Sequence, residues 1–231
     1  MSKLRRTSLG FELLIFDWDG TLADSLQHIV KSIRFAIHKL DFPEREEDAI
    51  RNIIGLGLEE ALERLFPRIN TAQRKSMAGH YREHYLSTSA DNISLFPEVE
   101  QTIKSLHANG YNLAVATGKS RRGLDRALQD SGLNEYFHYT RCADETFSKP
   151  HPQMLEDIMD IFSASPDRVL MIGDSEHDLQ MATNAGVASA AVTYGAQDKE
   201  YLLKFKPLTC FNSLRDLPQW LTQTENLQAN E

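Results

Sequence analysis

Leu13, Leu14, Ile15 and Phe16 form an unbroken apolar run that ends in Asp17-Trp18-Asp19-Gly20. A run without polar alternation, closed by a turn signal, predicts a short strand in a parallel sheet covered on both faces. The period then changes. Leu26, Ile29, Val30, Ile33, Ile37 and Leu40 recur at helical spacing, and Asp24 with Gln27 predicts a capping box at the helix start. Ile50, Ile53 and Ile54 predict a second helix and Leu58, Ala61, Leu62 and Leu65 a third, with the break Gly55-Leu56-Gly57 between them. A more polar helix runs from about Arg74 to Leu86 and carries Met77, Tyr81 and Tyr85 on one face. Nothing between residues 26 and 90 has the pattern of a strand.

From "LFPEV" at 95–99 onward, helical and strand patterns alternate, as in a parallel sheet with helical crossovers. Val99, Ile103 and Leu106 predict a helix ended by Gly110, "YNLAVATG" a strand, and "GLDRALQDSG" a helix ended by Gly132. "MLEDIMDIF" predicts a helix, "RVLMIGD" a strand, "DLQMATNAG" a helix stopped at Gly186, and "VASAAV" a strand. With the strand at 13–16 in the same sheet, the expected architecture is an α/β core of residues 1–25 and 91–231, interrupted by an all-helical insert at 26–90. The tail "QTENLQANE" is polar and is expected to fray.

A chain of 231 residues can bury a core without disulfides. Its two cysteines, Cys142 and Cys210, lie far apart and suggest neither a disulfide framework nor a cysteine-built zinc site. The net charge of -8 argues against nucleic acid as the main partner, because affinity for a phosphate backbone comes from clustered basic residues. Basic residues ahead of Leu13 mimic a secretory leader, yet Glu12 interrupts the pattern and the apolar run is four residues long. No stretch approaches the ~18 to 20 apolar residues of a membrane helix. The expectation is a cytoplasmic protein with no membrane partner; the oligomeric state is left open.

Open parallel sheets bind ligands at the carboxyl ends of their strands. The predicted strand exits carry Asp17 and Asp19, then Thr117, Gly118 and Lys119, then Asp174 and Asp178, with Lys149, Pro150 and His151 on a further loop. Residues at i and i+2 of an extended chain point the same way about 6.5 Å apart, so Asp17 and Asp19 are expected to face one small volume. Like charges so placed call for a cation or a division of labour. Each residue also has an ordinary reading: Asp19-Gly20 as a turn, Thr117 as a helix cap, Asp178 as a first-turn carboxylate, Lys149 as a solvated lysine. Arg121 and Arg122 read as a solvated helix start, His28 as a surface residue of the insert, and His151 and His177 as weak signals. Taken together, the set matches phosphoryl transfer, which needs a nucleophile, cations against the phosphoryl oxygens and a proton for the leaving oxygen. Carboxylates with water suit magnesium, which would offset the repulsion at Asp17 and leave Asp19 free for proton transfer.

The ordered segments "DWDGTL" at 17–22, "AVATG" with Thr117, "SKPHP" with Lys149 and "GDSEHD" with Asp174 and Asp178 resemble the four motifs of the haloacid-dehalogenase-like hydrolases. "FDWDGTLADS" and "KPHPQM" look most like its phosphoglycolate-phosphatase-like branch. The resemblance implies a Rossmann-like core with an inserted helical cap domain. It implies that Asp17 attacks phosphorus, that Asp19 serves as acid and then base, that Thr117 holds a phosphoryl oxygen, and that Lys149 neutralises charge on nucleophile and phosphate. Magnesium would be bound by Asp17, the backbone carbonyl of Asp19 and Asp174, with Asp178 supporting. Gly55 and Gly57 match a cap loop that contacts substrate in this family, and Gly118 with Lys119 are the candidates on the core side. The implied activity is hydrolysis of a small phosphorylated metabolite, phosphoglycolate being the nearest guess. A sugar phosphomutase with the same core and a phospho-accepting signalling receiver are the alternatives.

Overall fold

The computed structural model describes residues 10–88 and 94–228. Its centre is a six-stranded sheet in which every pair is parallel, in the order β5-β4-β1-β6-β7-β8. The strands are β1 (Leu13–Phe16), β4 (Asn112–Thr117), β5 (Tyr139–Cys142), β6 (Val169–Gly173), β7 (Ala188–Val192) and β8 (Cys210–Phe211). Leu13 stands in register with Asn112 on one side and Val169 on the other, so β1 lies inside the sheet.

The unbroken apolar run follows from that position. Leu13 and Ile15 face α7 (Gln153–Phe162) and α8 (Glu176–Asn184), in a cluster with Met154, Leu155, Ile158 and Met181. Leu14 and Phe16 face the other way, into a cluster with Val99, Ile103 and Leu106 of α5 (Val99–Ala108) and Leu124 and Leu128 of α6 (Arg121–Ser131). All four side chains of β1 are fully buried. Each contributes roughly 1.5–3 kcal/mol of hydrophobic stabilisation.

The chain runs outward from β1 through β4 to β5, then returns to the other side of β1 and runs out through β6, β7 and β8. Its direction of travel reverses at β1. The crevice at the carboxyl ends of β4, β1 and β6 is therefore where ligands bind in such sheets.

The helical insert consists of α1 (Leu26–Lys39), α2 (Glu47–Arg51), α3 (Leu58–Leu65) and α4 (Thr71–Thr88), packed around their own apolar cluster with α1 against α4. No strand occurs among its described residues. It joins the core at a two-stranded antiparallel neck, β2 (Ala23–Asp24) against β3 (Ser94–Leu95), which no periodicity in so few residues announces. The boundary expected at residues 90 and 91 lies outside the described residues.

Several expectations need correction. The capping box of Asp24 and Gln27 does not form: Asp24 is held in β2, and Gln27 donates to Glu47 at 3.3 Å. Ser25 is the N-cap, but its oxygen accepts no helix N–H, and its hydroxyl donates to Asp19 Oδ1 at 2.6 Å. The helix at Ile50 ends at Arg51, and Ile53 and Ile54 pack from the turns beyond it. His28 is buried, with Nε2 3.1 Å from the Tyr85 carbonyl and its ring edge-on to Tyr85. A further helix, α10 (Leu217–Gln228), seats Leu217 and Leu221 on the core; the last three residues of the tail expected to fray, 229–231, lie outside the described residues. The strands β5 and β8 and the short helix α9 (Lys199–Leu202) were not expected either.

Candidate active site

Trp18 sets the geometry at the exit of β1. Its ring is buried in the core, edge-on to Phe137, while its carbonyl accepts from Leu22 N and Ala23 N and closes a turn. Asp17 and Asp19 on either side are left at the crevice. Their side chains are paired with different lysines. Lys149 Nζ donates to Asp17 Oδ1 at 2.7 Å, whereas Lys119 Nζ donates to both Asp19 oxygens at 3.0 Å. Asp19 is therefore not a free carboxylate: it also accepts the Ser25 hydroxyl.

The exit of β6 supplies the second half. Asp174 accepts from Thr21 Oγ1 at 2.8 Å and from Ala196 N at 2.7 Å. Asp178, in the first turn of α8, uses Oδ2 to accept from Ser175 N and Oγ, and turns Oδ1 to Lys149 Nζ at 2.6 Å. Its ordinary role at a helix start and its place in the site thus coexist. Asp17, Asp174 and Asp178 each present an oxygen within 4.8 Å of the others, all buried. The Asp19 carboxylate stands outside that group.

Three buried carboxylates face one ammonium. Burial, reinforced by Asp178 and Asp174 and only partly offset by Lys149, raises the pKa of Asp17. Burial together with Asp178 pushes Asp174 up to about 7, against the opposing hydrogen bonds from Ala196 and Thr21. For Lys149, burial disfavours the charge, but Asp17 and Asp178 outweigh it and the net shift is upward. Asp17 Oδ2 is buried with no hydrogen-bond partner. The cluster is short of positive charge.

Thr117 is fully buried at the end of β4, and its Oγ1 accepts from Lys119 N at 3.2 Å. It is not the helix cap: Ser120 caps α6 by accepting from Gly123 N. Lys149, far from being solvated, is 2% exposed. Lys119 is buried too; burial works against its charge, yet Asp19 prevails and its pKa is raised. Its Nζ also donates to Tyr85 Oη at 2.7 Å, so a residue of α4 reaches the Asp19 pair. Arg121 is committed to Glu145 and Thr140 and plays no part in the crevice, and Arg122 stands exposed at its mouth. His177 bonds the Asn52 carbonyl as a link between core and insert, and His151 is exposed.

The Gly55-Leu56-Gly57 loop rests on the core rim. Gly57 N donates to Ser148 Oγ at 2.7 Å, and a methyl group at Gly118 would come within 2.6 Å of the Gly55 carbonyl oxygen. Gly55 itself has φ +100°, and a side chain there would meet Ser175 Oγ at 2.9 Å. Gly55→Ala is accordingly expected to destabilise the protein by about 1–3 kcal/mol, the cost of forcing a side chain into that backbone region. Thermal unfolding checks this; a variant melting with the parent would mean the loop is not seated as described. Sequence reasoning overlooked Thr21, Ser25, Ser175 and Tyr85. Thr21 sits inside the first quoted segment, while Tyr85 carries no local signal beyond its helix face.

A doubly wound parallel sheet gathers buried carboxylates, a lysine and a hydroxyl at its switch point beneath a helical insert, the place where such sheets bind ligands. The chain belongs to the haloacid dehalogenase-like hydrolases, whose sequence model matches residues 14–192. Among curated relatives, the pyrophosphatase PpaX of Bacillus cereus (strain G9842) is 28% identical over 205 residues, covering 88% of this chain and 93% of that protein. The crystal structure of a predicted phosphoglycolate phosphatase from Haemophilus somnus 129PT superposes with a TM-score of 0.83 at 27% identity, covering 91% of this chain and 97% of that one. A predicted phosphatase from Clostridium acetobutylicum shares the fold, with a TM-score of 0.82 at 24% identity over 92% of this chain and 99% of that one.

Proposed function

We propose that the protein is a magnesium-dependent phosphatase of small, soluble phosphomonoesters in the cytoplasm, with residues 1–25 and 91–231 as catalytic core and 26–90 as a cap. The observation that carries this reading is Asp17: one oxygen is held by Lys149, while the other is buried without a partner. An oxygen so prepared attacks phosphorus, the ester P–O bond breaks, and an aspartyl-phosphate remains. Asp19, protonated from solvent once substrate draws Lys119 away, delivers that proton to the leaving oxygen; it then takes a proton from the water that hydrolyses the intermediate. Thr117 donates its hydroxyl to a phosphoryl oxygen, and Lys149 offsets charge on nucleophile and phosphate. The relatives' names, a pyrophosphatase and a predicted phosphoglycolate phosphatase, support a phosphoryl group as the part of the substrate the core holds. With the hydrolase family established, the signalling-receiver alternative falls away.

The donor set fits magnesium. Hard carboxylate oxygens are present, they carry more negative charge than Lys149 balances, and one of them is an orphan. Asp17, the backbone carbonyl of Asp19 and Asp174 would hold the ion, with Asp178 supporting or joining them, and once bound it would supply charge to stabilise the phosphoryl oxygens. A pH dependence follows. The carboxyl of Asp174 ionises near 3.8 in the unfolded chain and near 7 when folded, so the metal-free protein loses stability from this group as pH rises between those values. Below that window the group has no effect; above it the loss is complete. Millimolar magnesium is therefore expected to raise Tm more at about pH 8 than at about pH 5.5, where protons compete for the same oxygens. Equal shifts at both pH values would argue against these ligands.

The direct test is phosphate release from a panel of phosphorylated metabolites with and without magnesium. Asp19→Asn should lose most on alkyl phosphates, whose leaving oxygen needs a proton, and least on a nitrophenyl ester. Equal losses on both would confine Asp19 to a structural role.

A further inference from the structure

The crevice above Asp17 and Asp19 opens into a cavity of about 340 Å³ between core and insert. Pockets of about 300–1,000 Å³ take drug-sized ligands, so this one has more room than a phosphate with a two-carbon appendage occupies. Its floor is polar: Asp17, Asp19, Thr117 and Lys119. Its roof is of another kind, formed by Ile29 and Ile33 of α1, Ile53 and Ile54 after α2, Leu56 of the loop, and Tyr81 of α4. None of these six carries a charge. The other charged residues at the cavity, Glu59, Glu60 and Arg82 of the insert and Arg122 and Asp144 of the core, are all exposed, and Arg82 lies 3.8 Å from Glu59. Inside, the lysine at hand is already shared between Asp19 and Tyr85.

A charged group buried under this roof would thus be taken out of water against isoleucines, away from the exposed charges at the edge, which is costly, whereas an alkyl or aromatic group there gains from burial. We infer that the leaving group read by the insert is an uncharged, largely apolar alcohol, and that Ile29, Ile33, Ile54, Leu56 and Tyr81 determine specificity for it. The inference rests on the phosphatase reading and narrows its substrate class. The chemistry is unchanged: the P–O bond to the alcohol breaks, the alcohol oxygen receives the proton from Asp19, and water restores Asp17 with release of phosphate.

The test is kcat/KM for magnesium-dependent phosphate release from ethyl, butyl and hexyl phosphate, whose leaving oxygens are chemically alike, alongside phosphoglycolate and pyrophosphate. Burial of each methylene should raise kcat/KM by up to about fourfold, so hexyl phosphate is expected to exceed ethyl phosphate by at least about tenfold and to exceed phosphoglycolate. Ile29→Thr and Leu56→Asn, checked for folding by thermal melts, should each flatten the dependence on chain length. A flat alkyl series in the parent, or phosphoglycolate or pyrophosphate preferred over every alkyl ester, overturns the inference and leaves the phosphatase reading intact. Release of phosphate from none of these substrates, nor from a nitrophenyl ester, overturns both.

Discussion

Asp17→Asn is expected to fold as the parent does and to lose at least ~10³-fold in phosphate release, about 4 kcal/mol of transition-state stabilisation. Asparagine fills the same volume, and its amide oxygen can still accept from Lys149, which sits 2.7 Å from Asp17 Oδ1. What it cannot do is attack phosphorus. The substitution also removes one of three buried carboxylates crowded around a single ammonium. At about pH 8 without magnesium, the variant should therefore melt no lower than the parent. Single-turnover phosphate release and thermal melts, run on the same preparation, separate the two effects. Activity within tenfold of the parent would remove Asp17 from the role of nucleophile.

Lys149→Met should be lost on both counts. Methionine matches the aliphatic stem but leaves Asp17 and Asp178 without the ammonium that lies 2.7 and 2.6 Å from them. Removing one member of a buried ion pair costs about 3–5 kcal/mol, and at about 2–4 °C per kcal/mol for a chain of this size Tm should fall by roughly 6–20 °C. The sign of the pH effect follows from the raised Asp17 and Asp174. Protonation can neutralise them when the lysine cannot, so the deficit should be largest near pH 8 and shrink toward pH 5. Magnesium should recover part of it. A variant melting within about 2 °C of the parent at pH 8 would show that Lys149 is not what balances the cluster.

Both predictions hinge on pairings that connect distant parts of the chain, and this is where the sequence stopped being informative. Period and punctuation are local properties. An apolar run buried on both faces, an i, i+3, i+4 stripe and a glycine stop sufficed to place β1, β4, β6, β7 and the main helices near their observed bounds. The order of the short segments along the chain sufficed to bring Asp17, Asp19, Thr117, Lys149, Asp174 and Asp178 to one rim, because parallel strands with helical crossovers all deliver their exits to the same side of the sheet.

Short or half-exposed elements escaped. β8 has two residues, and β5, Tyr139–Cys142, is an edge strand with Arg141 in it; neither carries a period long enough to recognise. Local pattern left open which lysine serves which aspartate: the family resemblance set Lys149 against Asp17, and tertiary structure added Lys119 against Asp19. Lys149 and Asp17 are 132 positions apart, Lys119 and Asp19 are 100 apart, and nothing local distinguishes one pairing from the other. The same holds for Ser25, a helix N-cap whose hydroxyl is taken by Asp19, and for Gly55, whose left-handed backbone is forced by the seat its loop takes on the core. The composition of the chain sets which chemistry is present at the rim; the packing of the core's strand exits sets which lysine meets which carboxylate and leaves Asp17 with an unpaired oxygen, and the insert adds Tyr85 to the Asp19 pair.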